Sequence, residues 1–284
     1  MRARGSVASA TSGGSLTPGM RRLLIIAGVL VFLAGAQLFV FPERTERYFA
    51  WTIDVPLTAA FLGAGYWASV VLEWLAARER IWARARVAVP AVFVFTTLTL
   101  VATLIHLDLF HLDSSIAPST RAVTWLWIAI YALVPPAMLL LAIIQMHAPG
   151  RDPARERELP AWLRRVLAGH AVVLLGLGAA LFVAPERVST LWPWALTPLT
   201  GRAVGAWLVG IGVAAAQSVW ENAFERVRVA LFSYIALALL QLLALARYLD
   251  TVSLARAKTW IYVGFLLSML AVGCYATVVA RRRA

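Results

Sequence analysis

Eight long apolar runs, at residues 23–41, 56–77, 87–106, 122–146, 164–184, 199–220, 229–247 and 259–280, decide what this chain can fold into. A helix needs about 20 mostly apolar residues to cross the hydrocarbon core of a bilayer. None of the runs has the period-2 alternation of a membrane barrel strand. The spacing therefore predicts an all-α, polytopic membrane protein with eight transmembrane helices. With 61% hydrophobic and 14% charged residues, the chain also has too little polar surface to coat a soluble globule of 284 residues.

The net charge of +12 raises the possibility of a nucleic-acid partner, but the position of the charges between the runs argues against one. Counting loops from a cytoplasmic N-terminus, 18 of the 26 basic residues fall on the inner side. That bias is the positive-inside rule, and it predicts a cell-membrane protein with both termini in the cytoplasm. Anionic lipid headgroups, not phosphodiester backbones, are then the expected partners of the basic loops. Arg21, Arg22, the apolar run from Leu23 and Ala34-Gly35-Ala36 imitate a cleavable signal peptide. A similar run recurs in mid-chain from Leu174, and the first stays apolar to Phe41, so an uncleaved first span is expected. The single Cys274 excludes an intramolecular disulfide and CxxC redox chemistry. Arginine far outnumbers lysine in an alanine-rich chain, which points to a GC-rich bacterial genome.

Residues 38–44 read LFVFPER and residues 181–187 read LFVAPER. Apolar matches carry little information in such a chain, so the polar residues are the test. Pro42, Glu43, Arg44 and Trp51 recur 143 positions later as Pro185, Glu186, Arg187 and Trp194. At an offset of 142, Gly63-Ala64 meets Gly205-Ala206, Glu79 meets Glu221, Arg84 and Arg86 meet Arg226 and Arg228, and Asp108 meets Asp250. Thr124-Trp125 and Thr259-Trp260 follow at 135. The order is kept throughout, which predicts a tandem duplication of a four-span unit. An even number of spans gives the two copies the same orientation, so two parallel four-helix repeats are expected about an axis along the membrane normal. The expected divisions are a flexible cytoplasmic tail at 1–22, repeats at 23–146 and 164–280, a Pro- and Gly-broken linker at 147–163, and a basic C-terminus at 281–284.

Most recurring residues read as scaffold. Pro42 and Pro185 stop helices, while Glu43, Arg44, Glu186 and Arg187 are expected beside Trp51 and Trp194 in an interfacial belt. Ala64 and Ala68 are four apart in span two, Gly201 and Gly205 form GxxxG in span six, and Ala206, Gly210 and Ala214 continue the small-residue spacing there. Such faces let backbones approach closely in lipid, so these two spans are expected to face each other at the centre. Gly176-x-Gly178 reads as a packing feature of span five.

Ionisable side chains within a span are functional candidates by default. Here they are Glu73, His170 and Arg202, and their repeat equivalents are Ala215, Ala27 and Ala60. Glu73 and His170 share one half of the membrane, so a contact between them is the sharpest site hypothesis. The stretch HLDLFHLD at 106–113 resembles metal ligands, but helical geometry sends His106 with Asp113 and Asp108 with His111 to nearly opposite faces. No metal or other cofactor is expected. Nor is any nucleophile elbow, phosphate loop, HExxH or dinucleotide fingerprint present.

Taken together, these features predict a non-enzymatic membrane protein that acts as an assembly or as a binding module for a lipid or apolar ligand. Its expected partners are membrane lipids, with a membrane protein or a second copy as a further partner. The alternative is a transporter or channel for a small or lipid-like solute, its site between the repeats. An intramembrane enzyme using Glu73 and His170 has the smallest polar cast of the three.

Overall fold

The computed structural model describes the backbone of residues 14–282 and the side chains of 14–278. Among them there is no strand, and eight helices are long and apolar enough to cross a membrane. They are α1 (Pro18–Gly35), α2 (Pro56–Arg78), α3 (Ala88–Ile105), α4 (Pro118–Met146), α5 (Ala161–Val183), α6 (Pro198–Glu221), α7 (Phe224–Arg247) and α8 (Ala257–Arg282). The chain is thus a multi-pass membrane protein.

Proline explains where four of these helices begin. Pro18, Pro56, Pro118 and Pro198 stand at their first positions, where a missing N–H leaves no hydrogen bond unmade. The reciprocal Thr197 and Thr200 side chains cap α6, and Asn222, with φ 46°, ends it in the left-handed conformation that closes many helices. One π-helical turn, Ala36–Val40, extends α1 to Val40.

The first and last expected divisions lie partly outside the described residues, which omit 1–13 and 283–284. From Gly14 onward the N-terminal segment is held. Leu16 N–H donates to Arg80 O, and Thr17 N–H donates to the Gln145 side chain. Helix α1 accordingly starts five residues before the apolar run, because Pro18 and Gln145 fix its first turn. Between Met146 and Ala161 the chain is non-helical, interrupted at Pro149, Gly150, Pro153 and Pro160.

The packing differs from the expected seam between α2 and α6. These are the two most buried spans, yet each makes its main contacts elsewhere: α2 with α1 and α7, α6 with α5 and α3. Glycine is the reason. A Cβ on Gly63 would lie 2.5 Å from Phe39 N, and one on Gly205 would lie 2.8 Å from Phe182 N. Gly63 and Gly205 are therefore used against α1 and α5, while Ala68 and Ala214 face the space left between α2 and α6. Gly210 in turn admits Phe95 of α3, whose Cβ would be 3.0 Å away. In lipid, where no hydrophobic difference drives helices together, such close approaches supply the attraction through dispersion.

The expected tryptophan belt also differs. Trp51 and Trp194 are buried, each within an aromatic trio. Phe49, Trp51 and Trp127 stand 4.5–5.1 Å apart, and Trp192, Trp194 and Tyr262 stand 5.2–5.8 Å apart, between ring centroids. Aromatic edges meet faces in these clusters, and Trp194 Nε1 donates to Thr58 Oγ1 at 2.8 Å, while Trp51 Nε1 and Trp192 Nε1 are buried without a hydrogen-bond partner. Trp125 and Trp260, both 59% exposed, are instead available to a headgroup layer. Glu43, Arg44, Glu186 and Arg187 are exposed, and Glu43 accepts a hydrogen bond from Tyr248 Oη at 3.0 Å.

Candidate functional site: a cavity around Glu73

Helix α2 turns Gly65, Ala68, Ser69, Leu72 and Glu73 onto one face, because steps of three and four residues return to the same side of a helix. Helix α6 does the same with Trp207, Gly210, Ile211, Ala214 and Ala215, each 142 residues beyond its counterpart in α2. Since the small residues leave space between them, a cavity of about 90 Å³ remains, with walls completed by α1, α3, α4, α5 and α7. A water needs roughly 10–15 Å³ of such volume, so several waters or one compact organic group would fit.

The polar atoms in this wall are nearly all engaged. Tyr131 Oη and Tyr66 Oη share a 2.6 Å hydrogen bond. Tyr234 Oη lies 3.1 Å from His170 Nδ1. Thr96, Ser218 and Ser233 donate to the carbonyls of Val92, Ala214 and Ala68 at 2.8 Å each. Ser69 Oγ and Trp207 Nε1 make no hydrogen bond among the described residues, and Glu73 is the ionisable exception. It is 1% exposed, and its Oε2 is buried without any hydrogen-bond partner. Among the described residues, lysine, arginine and histidine are absent from the lining, so the wall they form carries one acidic group and no counter-charge.

The other sequence candidates lie in separate places. His170 is held by both ring nitrogens, with Nε2 3.0 Å from Ser268 Oγ and Nδ1 against Tyr234. No hydrogen bond joins it to Glu73; Tyr234, which lines the cavity, is the group that approaches His170. Arg202 donates to His106 Nε2 at 2.7 Å, tying the start of α6 to the end of α3. Burial, followed by the Arg202 charge, pushes the His106 imidazole below its ordinary range, against a smaller opposing effect of Asp108. Within the 106–113 stretch, His111 spends Nδ1 on Phe49 O and Nε2 on Thr52 Oγ1, each at 3.0 Å. Asp113 accepts from Ser115, which lowers its carboxyl. Asp108 and Asp250 both occupy 3₁₀ turns, Leu107–Leu109 and Leu249–Thr251.

A second cluster, at the basic end of the bundle, escaped the sequence reading. Glu79 accepts from Arg228 at 2.7 Å, and Glu221 accepts from Arg86 Nε and Nη2 at 2.5 and 2.8 Å. Arg226 and Gln217 also donate to Glu221, at 3.1 and 3.0 Å. Arg86 further reaches Asp152, and these two carboxylates raise its guanidinium pKa. The signal was in the sequence: Glu79 and Arg86 recur together as Glu221 and Arg228. Their order along the chain does not tell whether each glutamate pairs within its own half or with the other.

Comparison with protein-family models, with characterised proteins and with solved structures returns no match.

Proposed function

We propose that the chain consists of two like-oriented four-span units related by a pseudo-two-fold axis, and that it binds an apolar or lipid-like ligand in the cavity on that axis without chemical turnover. The observation that carries this reading is the cavity lining, where α2 and α6 present residues 142 apart, pair after pair, to one shared space. Three further observations support the two units. The ion pairs Glu79–Arg228 and Glu221–Arg86 are reciprocal, as a two-fold axis requires of self-complementary contacts. The close approaches of Gly63 to Phe39 and of Gly205 to Phe182 involve corresponding residues. The two aromatic trios likewise fall on corresponding positions. The arginine bias supports a cell-membrane location, bacterial by composition, with the basic end and both termini in the cytoplasm.

The test is mass spectrometry of small molecules that co-purify with the protein in mild detergent, comparing wild type with Ala214→Phe, which fills the cavity. The expected result is a stoichiometric apolar compound lost in the variant. Identical bound compounds in both proteins, at equal stoichiometry, would remove the cavity from the account.

A second reading, passage of a small or lipid-like solute between the units, draws on the unpartnered Glu73. Ionisable groups inside a membrane often mark solute pathways. Uptake into proteoliposomes that Ala214→Phe abolishes would favour passage over static binding.

A further inference from the structure

We infer that the ligand of the central cavity is a small organic monocation of the alkylammonium type, held by the Glu73 carboxylate against the rings of Phe95, Tyr131, Trp207 and Tyr234. This rests on the reading of the cavity as a ligand site and names the chemistry that the site selects.

The argument begins with charge. Glu73 Oε2 faces no donor, and no basic residue lines the cavity to neutralise the group. A carboxylate inside a membrane is costly unless it is paired. The hydroxyls of Tyr131, Tyr234, Thr96, Ser218 and Ser233 are committed to other groups, and that of Ser69, one turn before Glu73, brings no charge to neutralise it. A ligand that brings one positive charge completes the wall.

The rest of the lining restricts what kind of cation fits. Its surface is mostly apolar, and four aromatic rings contribute to it. A strongly hydrated metal ion would exchange its water for hydrocarbon and a single carboxylate, whereas an alkylammonium carries its charge on methyl or methylene groups that suit aromatic faces. About 90 Å³ admits a group of trimethylammonium size. Position adds a second argument. Ala215, the counterpart of Glu73 in α6, lines the same cavity. The cavity therefore offers one carboxylate and not two, which matches a monocation.

The experiment uses the full chain in lipid nanodiscs, with binding of radiolabelled choline measured by equilibrium dialysis. Competition by tetramethylammonium and by 3,3-dimethylbutan-1-ol, the uncharged isostere of choline, is measured in parallel. Wild type should bind choline saturably, tetramethylammonium should compete, and the alcohol should compete about tenfold less well or worse. Glu73→Gln should weaken choline binding about tenfold or more while leaving the weak binding of the alcohol unchanged. The double variant Glu73→Ala with Ala215→Glu returns the carboxylate to the cavity from the other side and should recover binding. It also serves as the test if Glu73→Gln alone fails to fold.

Equal affinity for choline and the alcohol, insensitive to Glu73→Gln, would overturn the cation proposal and leave an apolar ligand site standing. No saturable binding of choline or tetramethylammonium by wild type would also overturn it. If, in addition, Ala214→Phe leaves the co-purifying molecules unchanged, the ligand-site reading falls with it.

Discussion

Removing Arg86 should destabilise the protein far more than removing Arg228, although the two residues occupy corresponding sequence positions. Both leave a buried glutamate behind, and the difference lies in how far water reaches each pair. Glu221 is 1% exposed, and Arg86, at 23%, covers it with two short contacts. Taking away one partner of a buried ion pair costs about 3–5 kcal/mol, because the remaining charge is neither solvated nor neutralised. Arg226 and Gln217 still reach Glu221 in Arg86→Ala, which places the expected loss near the lower limit, about 3 kcal/mol. Arg228 is 59% exposed although its partner Glu79 is only 10% exposed, so water already screens the cation's side of this pair and the expected loss is about 1 kcal/mol, the upper end for exposed pairs. For a chain of this size 1 kcal/mol corresponds to roughly 2–4 °C in midpoint temperature. Thermal unfolding followed by tryptophan fluorescence, in one detergent–lipid mixture, should thus show Arg86→Ala lowered by about 6–12 °C and Arg228→Ala by no more than about 4 °C. High salt should erase the smaller effect and leave most of the larger one. A double-mutant cycle with Glu221→Gln assigns the loss to the pair. Equal shifts for the two arginines, or zero coupling in the cycle, would refute the reasoning from burial.

Two further outcomes follow from the packing and from His106. Gly63→Ala and Gly205→Ala should each lower stability by about 1–3 kcal/mol, since the new methyl meets helix backbone that cannot move aside, whereas Gly176→Ala, with nothing within 4 Å, should be neutral or raise it by up to about 1 kcal/mol; equal midpoints for all three variants would contradict the close approaches. His106 accepts from Arg202 only as neutral imidazole, and its folded pKa is lowered, so the unfolded chain takes up this proton first on acidification. Its contribution to stability is therefore fully present above the unfolded value of about 6.5 and is lost as pH falls through the lower folded value, and His106→Gln should flatten that acid limb of the midpoint-against-pH curve; an unchanged limb would show that another group carries it.

The spans were legible because each is a long apolar run, and four of their starts because proline at a first helical position has one physical reading. Glu73 was legible for the same kind of reason: a carboxyl in hydrocarbon is rare enough to stand out. The cavity beside it was not. Gly65, Ala68 and Ser69 follow a spacing that serves tight helix contact and empty space equally well, and only the bulk of residues on other helices decides between them. Trp51 and Trp194 misled for a related reason. An indole near a helix end suits a headgroup layer or an aromatic cluster, and the choice depends on Trp127 and Tyr262, some 70 residues away along the chain. The pairing of His170 with Ser268 and Tyr234 was equally hidden, since nothing local marks a serine 98 positions distant as its partner.

If the two units descend from one, the cavity is where exact symmetry would have been hardest to keep. Residues on a two-fold axis face their own counterparts, so a large side chain there would meet itself and a small one would leave a double void. Gly65 and Trp207 resolve this by difference. A Cβ on Gly65 would lie 3.0 Å from the Trp207 ring, so the glycine of one unit receives the indole of the other. Glu73 and Ala215 follow the same logic in charge, because two carboxylates facing each other across about 90 Å³ of low-dielectric space would repel strongly. The ion pairs at the basic end lie off the axis, where reciprocal contacts do not collide, and there both copies keep the same residues. On the two-unit reading, identity persists at these ion pairs, where symmetry is compatible with packing and charge, and gives way among the α2 and α6 residues that line the cavity.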